Sequence, residues 1–226
     1  MVAQPALSDA DEIRIGHMLA ERLVKDRGLV PSPQTGRVEK YLQAVGERVA
    51  ANAPRHLPYH FRFDPEPGFK SAFALPGGEI FVGGGILAFL DSEDQLAVVL
   101  GHEIEHVALN QCRARLVSAL YDNDIAPAEA EKLDIEEFFR GYGHDDEFTA
   151  DREGVKLAAA AGYSPKAAIR LLETFLILAG RAPAFSNDAD SNDSKKTLQE
   201  RIDQIHSVME RDQLPVPHAE KPLALP

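Results

Sequence analysis

The chain has 226 residues, of which 44% are hydrophobic and 27% are charged, and its formal net charge is −12. This composition is typical of a globular protein with a sizeable core, and the length favours one domain or two small ones. The acidity argues against nucleic acid or an anionic membrane surface as a partner, because both bind clustered lysine and arginine.

The first half of the chain predicts helices followed by a small sheet. Apolar stripes with capping residues indicate helices, alternation of apolar and polar residues indicates strands, and Pro76-Gly77-Gly78 predicts the turn of a hairpin. The expected helices span about 8–27 and 35–52, and the expected strands span 59–64, 69–75 and 79–82. A short helix is expected to end near Leu90.

The second half predicts helices throughout. They are expected at about 92–110, 116–121, 128–139, 147–161, 165–178 and 197–211. Residues 181–196 are polar and predict a loop, and 1–7 and 215–226 predict flexible termini. We therefore expect an α+β fold, a single mostly helical domain at 8–214 with one small sheet or hairpin beside the helix at 92–110.

One of these helices carries a motif with a chemical meaning. Residues 97–110 read AVVLGHEIEHVALN, so His102 and His106 lie one turn apart on one helix face. Two imidazoles so placed can bind one metal ion, and Glu103 can reach a water molecule on that ion. This HExxH pattern is typical of zinc peptidases, in which the glutamate is the general base. The plainer alternative, a helix with two surface histidines, leaves the apolar residues around the motif unexplained.

A catalytic zinc ion needs a third protein ligand. Glu147 and Asp151 lie four residues apart in the helix at 147–161, so one can bind the metal while the other accepts a hydrogen bond from a ligating histidine. Acidic residues also suit the beginning of a helix because of its dipole. We prefer that interpretation for the neighbouring residues His144, Asp145 and Asp146.

The combination of HExxH with ExxxD resembles the zinc peptidase family of the CAAX prenyl proteases and the heat-shock membrane proteases. The resemblance extends from about residue 13 to 205 and includes the hairpin at 71–78 with 80–82 and 85–87, Ala150-Asp151-Arg152, and Glu200-Arg201-Ile202. It implies a gluzincin-like fold and one Zn²⁺ ion. It further implies that Glu147 is the third ligand and that Arg201 is an active-site cation. Asp151 would accept a hydrogen bond from a ligating histidine.

The chain departs from the family pattern at two places. Ser71 stands where the family usually has asparagine, and Lys195 and Lys196 stand where it usually has His-Pro. The family histidine is associated with stabilising the reaction intermediate or gating the zinc, and His206 is a candidate to replace it. No stretch approaches the roughly 20 apolar residues of a membrane span, unlike in the prenyl and heat-shock branches.

These observations predict a zinc-dependent endopeptidase that cleaves proteins, especially unfolded or misfolded ones. Glu103 would be the general base, Arg201 would assist, and a strand would hold an extended peptide by main-chain hydrogen bonds. That strand comprises Ser71, Ala72, Phe73 and Ala74. Residues 181–196 could form a lid, although a solvated linker is the preferred interpretation.

Two other functions remain open. One is a zinc-binding chaperone-like or scaffold protein with little turnover. The other is a di-iron protein, because Glu103 to His106 also fits ExxH, but such sites need a second ExxH and Asp203 to His206 has the wrong acid. The opening residues lack the features of a signal peptide. We expect a periplasmic location if a leader has been removed and a cytoplasmic one otherwise.

Overall fold

The computed structural model describes residues 7–139, 141–179 and 191–225. The α-helices of these residues are α1 (Asp9–Asp26), α2 (Pro33–Ala50), α3 (Gly84–Leu87), α4 (Glu93–Ala108), α5 (Gln111–Asp122), α6 (His144–Ala160), α7 (Lys166–Ala179) and α8 (Ser191–Arg211). The strands are β1 (His60–Asp64), β2 (Ala72–Leu75) and β3 (Glu79–Gly83). Short 3₁₀ turns occur at Pro76–Gly78, Pro127–Lys132 and Ile135–Phe138. The predicted α+β class, mostly helical with one small sheet, is confirmed.

Serine residues begin three of the helices. Ser8 and Ser32 each accept a hydrogen bond from a backbone N–H three residues on, and Ser92 Oγ accepts one from the backbone of Gln95 at 3.2 Å. A side-chain oxygen at this position satisfies one of the free N–H groups of a helix start. The Gln95 side chain accepts from the backbone of Asp91 at 2.6 Å, which fixes the chain as it enters α4.

The sheet is mixed and has β3 in its centre. β1 pairs with β3 in parallel and β2 pairs with it antiparallel, giving the order β1-β3-β2. All five residues of β3 are buried. β2 is an edge strand among the described residues, and it lies against α4. The edge of the sheet therefore lies beside the helix that carries the HExxH motif.

Helix α4 runs through the middle of the molecule. One apolar cluster joins it to α2 and the sheet, a second lies between α1, α5 and the far side of the sheet, and a third joins α6, α7 and α8. Side chains of α4 are fully buried at Leu96, Leu100 and Ile104. Thirteen of the sixteen residues of α4 are buried, which explains why apolar residues surround the motif on every side.

Helices α4 and α6 approach each other closely where two glycines face. A Cβ atom on Gly101 would lie 2.6 Å from the carbonyl oxygen of Gly154, and one on Gly154 would lie 2.7 Å from the backbone nitrogen of His102. Real Cβ atoms essentially never come within 3.0 Å of another heavy atom. Only glycine at both positions allows α6 to pass this close to the motif.

Several predicted boundaries were wrong. The helix expected at 128–139 is two 3₁₀ turns, because Leu133 is extended and Asp134 caps the second turn by accepting from the backbone of Glu136. The second strand begins at Ala72 instead of 69, since the backbone N–H of Phe69 donates to the carbonyl of Glu66 in a turn. Side-chain capping and turns compete locally with regular structure.

Three helices begin earlier than predicted, namely α5 at Gln111, α6 at His144 and α8 at Ser191. Polar residues indicated a loop at 191–196, but the same residue types favour the first turn of a helix. The helix beginning at His144 agrees with the preferred interpretation of the acidic residues there. The predicted loop at 181–196 was therefore wrong for 191–196. Its first part, 181–190, lies outside the described residues.

The C-terminal tail contacts the domain. Ser92 Oγ donates to Glu220 at 2.8 Å, the backbone N–H of Lys221 donates to Asp94 at 2.7 Å, and Pro222 forms an isolated bridge with Ser92. Residues 220–222, which lie in the segment 215–226 that we predicted to be flexible, thus contact the beginning of α4. Residues 1–6 and 226 lie outside the described part.

No helix in the described part of the chain combines the length and the apolar character that crossing a membrane requires.

Candidate metal centre

Helix α4 places the two motif histidines against each other. The Nε2 atoms of His102 and His106 lie 3.0 Å apart. The His106 side chain is 2% exposed and that of His102 is 16% exposed. The helical spacing predicted from the sequence thus brings both ring nitrogens to one point at the floor of a cleft.

Helix α6 brings a carboxylate to the same point. Glu147 Oε2 lies 3.5 Å from His102 Nε2, and Glu147 Oε1 lies 3.9 Å from His106 Nε2. One ligand atom from each residue lies within 4.8 Å of the others. The structure therefore brings together the three side chains that the sequence and the resemblance predicted as ligands.

The other nitrogen of each ring is bound by an acceptor. His102 Nδ1 lies 2.9 Å from Asp151 Oδ1, and His106 Nδ1 lies 2.5 Å from Gln111 Oε1. A carboxylate can only accept, so Asp151 fixes the proton of His102 on Nδ1. Gln111 oriented in this way does the same for His106.

This hydrogen bonding makes the three side chains fit a metal ion. With both protons on Nδ1, each neutral ring presents a lone pair on Nε2, and these lone pairs face each other and the carboxylate of Glu147. Three acceptors facing one point are favourable only around a cation. Two imidazoles and a carboxylate, with a position left for water, are also a donor set that catalytic zinc prefers.

Without a metal ion, the pKa values of the ligands shift in opposite directions. Burial lowers the pKa of His102, but the carboxylates of Asp151 and Glu147 outweigh it and raise the pKa to about 10. Burial and the charge of His102 lower the pKa of His106 to about 3. Burial raises the pKa of Glu147, yet the hydrogen bond and charge of His102 bring it down to about 2. A proton on His102 is thus the cation that a metal ion would replace.

Glu103 is buried beside this group. Burial raises its pKa to about 7, although the backbone N–H of Ala74 in β2 donates to its carboxylate and partly counters the effect. A carboxylate with a pKa near 7 can accept and return a proton at neutral pH. Strand β2 therefore positions the side chain that the motif predicts as the base.

Arg201 reaches the centre from α8. Its Nε and Nη2 atoms donate to the two oxygens of Asp151 at 2.5 and 2.7 Å, and Nη1 lies 3.8 Å from Glu147 Oε2. Burial lowers the pKa of Arg201, but the charge of Asp151 outweighs it and the pKa lies above its ordinary value. Arg201 thus binds the carboxylate that holds His102 and supplies positive charge beside Glu147.

The centre opens into a cleft of about 750 Å³. Three of the four predicted strand residues, Ser71, Ala72 and Phe73, line this cleft, whereas Ala74 is buried and does not. Apolar side chains of α4, α7 and α8 line the opposite wall, among them Val99, Leu172, Phe175 and Leu198. The volume of the cleft lies within the range typical of ligand-binding sites.

The two α8 positions at which the chain departs from the family pattern do not line the cleft. Lys195 and Lys196 are not among the residues that line the cleft, and Lys196, with a side chain 75% exposed, pairs with Glu200 at 3.7 Å. His206 is exposed on α8. His144 is exposed and lies 3.7 Å from Glu200. None of these side chains belongs to the group of three ligands.

Sequence reasoning missed two contacts of the centre. Gln111 follows His106 after the left-handed turn at Asn110, and Tyr142 stacks on the His106 ring with centroids 4.0 Å apart. The helical period ends at that turn, so no spacing rule relates Gln111 to His106. Tyr142 lies in a loop, where no periodicity exists.

This fold and this group of side chains define a metallopeptidase of the HExxH class. The family model for peptidase family M48 matches residues 37–207. The chain therefore belongs to peptidase family M48, a family of zinc-dependent metalloendopeptidases, and the predicted resemblance is confirmed.

Two similar proteins support the same assignment. The chain is 30% identical over 187 residues to the mitochondrial metalloendopeptidase OMA1 of Schizosaccharomyces pombe, covering 75% of this chain and 53% of that protein. It is 25% identical over 199 residues to the beta-barrel assembly-enhancing protease of Escherichia coli, covering 77% of this chain and 39% of that protein. The chain thus spans about half or less of these two relatives.

Proposed function

We propose that this chain is a zinc-dependent endopeptidase that binds one Zn²⁺ ion through His102, His106 and Glu147. The observation that carries the proposal is the convergence of two Nε2 atoms and a carboxylate at one point, with both Nδ1 atoms bound to acceptors. Family membership supports the same chemistry. When bound, zinc supplies a Lewis acid that lowers the pKa of water to about 7 and polarises a carbonyl group.

The chain's own residues would move the proton. Glu103 lies at the floor of the cleft next to His102, and its raised pKa of about 7 suits it to take a proton from water and pass it to the leaving amine. Asp151 would hold the His102 ring through Nδ1. Arg201 would hold Asp151 and keep positive charge beside the reacting carbonyl.

The edge strand β2 offers a short template for substrate. Since Ser71 O accepts from the backbone N–H of Gly83 at 3.0 Å, alternation directs the backbone groups of Ala72 and Ala74 away from β3. Those of Ala74 contact Glu103 and Cys112. Ala72 therefore presents an outward backbone N–H and a carbonyl, which also accepts from Ser71 Oγ at 3.0 Å, and an extended peptide would pair with these two groups.

This template favours chains without stable structure. Main-chain hydrogen bonds do not depend on the side chains of the substrate, but they require an extended segment. Folded proteins rarely expose such a segment. We therefore propose unfolded or misfolded proteins as substrates, with an apolar residue of the substrate against the wall formed by Val99, Leu172 and Phe175.

The experiment combines elemental analysis with digestion of casein by the wild type and Glu103→Gln. The wild type should contain one zinc per chain and lose cleavage on chelation. Glu103→Gln should retain the zinc and lose cleavage by at least ~100-fold, the typical contribution of general base catalysis. Glu105→Gln is the matched control, because Glu105 is also buried on α4 but is outside the ligand group, and it should cleave like the wild type.

Cleavage by Glu103→Gln at the wild-type rate would contradict the proposed mechanism. Bound zinc in a wild type that cleaves no unfolded protein would instead support the chaperone-like alternative. The observation that favours this alternative is the lysine pair at 195 and 196, where the family usually has His-Pro.

A further inference from the structure

Tyr142 contacts two of the three proposed zinc ligands, one from each helix. Its ring stacks on His106 of α4, with centroids 4.0 Å apart and planes 17° apart. Its backbone N–H donates to Glu147 Oε1 of α6 at 3.3 Å. The residue thus lies between the two helices that supply the ligands, although it belongs to neither.

The Tyr142 ring is itself held on its other sides. The guanidinium carbon of Arg115 lies 3.8 Å from the ring centroid, within the range of a cation–π contact. Arg115 also donates to the carbonyl of Gly141 at 3.0 Å. The hydroxyl lies 3.1 Å from Cys112 Sγ. Arg115 and Cys112 belong to α5, so this helix fixes the loop residue from behind.

The two histidines are supported differently. His102 is held by Asp151, which Arg201 binds with two hydrogen bonds. His106 has one hydrogen bond from Nδ1, to the neutral side chain of Gln111. The partner of His106 is a neutral amide that no charged side chain in the described part of the chain is seen to hold, whereas the Tyr142 ring stacked on His106 fixes the plane of the imidazole.

From this geometry we infer that Tyr142 is a positioning residue that sets the His106 ring and the Glu147 carboxylate for zinc binding, with Arg115 holding the tyrosine in place. The inference rests on the proposed zinc site. The stack needs the aromatic ring and the Glu147 contact needs only the backbone, so the hydroxyl should not matter for zinc affinity. Removal of the hydroxyl group therefore distinguishes the role of Tyr142 in positioning the ligands from its packing on Cys112.

The test is the zinc dissociation constant, measured by competition with a chromophoric chelator, for Tyr142→Leu and Tyr142→Phe. Tyr142→Leu should bind zinc about tenfold more weakly, as is typical when a group that orients a ligand is removed. Tyr142→Phe should keep the wild-type affinity while its melting temperature falls, since only the contact with Cys112 is lost. Tyr121→Leu is the matched control, because Tyr121 is 56% exposed on α5.

Wild-type affinity in folded Tyr142→Leu would overturn the inference while leaving the proposed function intact. A tenfold loss in Tyr142→Phe would also overturn it, and this variant keeps the test decisive if Tyr142→Leu does not fold. Absence of zinc binding by the wild type would overturn both proposals. The Co²⁺ absorption spectrum gives a second measurement, since a displaced His106 should alter the spectrum of Tyr142→Leu and leave that of Tyr142→Phe unchanged.

Discussion

The glycine contact between α4 and α6 controls how far Glu147 lies from the two histidines. In Gly154→Ala, the new Cβ would lie 2.7 Å from the backbone nitrogen of His102. The helices would need to separate by about 0.7 Å to lengthen this distance from 2.7 Å to 3.4 Å, where ordinary van der Waals contact begins. Because the nearest atoms are backbone atoms, no side-chain rotation can relieve the clash.

The expected effects follow from this separation. Overpacking of this kind lowers the free energy of unfolding by about 1–3 kcal/mol. Replacing a helical glycine by alanine raises it by about 0.5–1 kcal/mol. Gly154→Ala should therefore lower the free energy of unfolding by about 1 kcal/mol. Zinc affinity should fall as well, since α6 carries Glu147 and α4 carries both histidines.

Gly36→Ala is the matched control. Gly36 is in the first turns of α2, and no atom lies within 4 Å of a Cβ placed there. The free energy of unfolding of this variant should therefore rise by about 0.5 kcal/mol. Urea unfolding of the metal-free proteins and chelator competition for zinc measure both effects. If Gly154→Ala matched Gly36→Ala in stability and the wild type in zinc affinity, the close approach would have no role in forming the site.

Two other predictions concern stability. Burial raises the pKa of Glu79, but hydrogen bonds from Arg62 and His17 outweigh it, so the pKa lies below 4.5. Glu79→Gln should therefore destabilise the protein by about 1.5 kcal/mol above pH 5, the typical contribution of a hydrogen bond to a charged group, and the difference should shrink as the pH falls through the folded-state pKa; a constant difference down to pH 2 in urea titrations would contradict this. Chelation should lower the melting temperature, because zinc at 100 times its dissociation constant adds about 2.7 kcal/mol. In Glu147→Gln the same scan should show a smaller shift, and an equal shift would argue against Glu147 as a ligand.

Local patterns in the sequence predicted much of the fold. The period of α4 placed His102 and His106 on one face, and Ser92 marked its beginning. The alternation at 59–64 and the Pro-Gly-Gly turn predicted the strands that form the sheet. These features depend on residues close together in the chain, which is why one sequence is enough to predict them.

Other features depend on contacts between distant parts of the chain. The break at Leu133 and Asp134 arises from a cap that competes with a helical pattern, and the stacking of Tyr142 on His106 depends on a loop conformation. The closeness of Glu147 to the motif depends on the crossing at Gly101 and Gly154. A glycine in the sequence does not show which other residue it will contact, so this helix contact could be found only in the tertiary structure.

The most direct test of the central claim is X-ray absorption at the zinc edge of the zinc-loaded protein. We predict two imidazole nitrogens at about 2.0–2.1 Å and oxygen ligands at about 2.0–2.2 Å, with the imidazole scattering reduced to one ring in His106→Ala. A zinc environment with only oxygen scatterers, or one that His106→Ala does not change, would contradict a site formed by His102, His106 and Glu147.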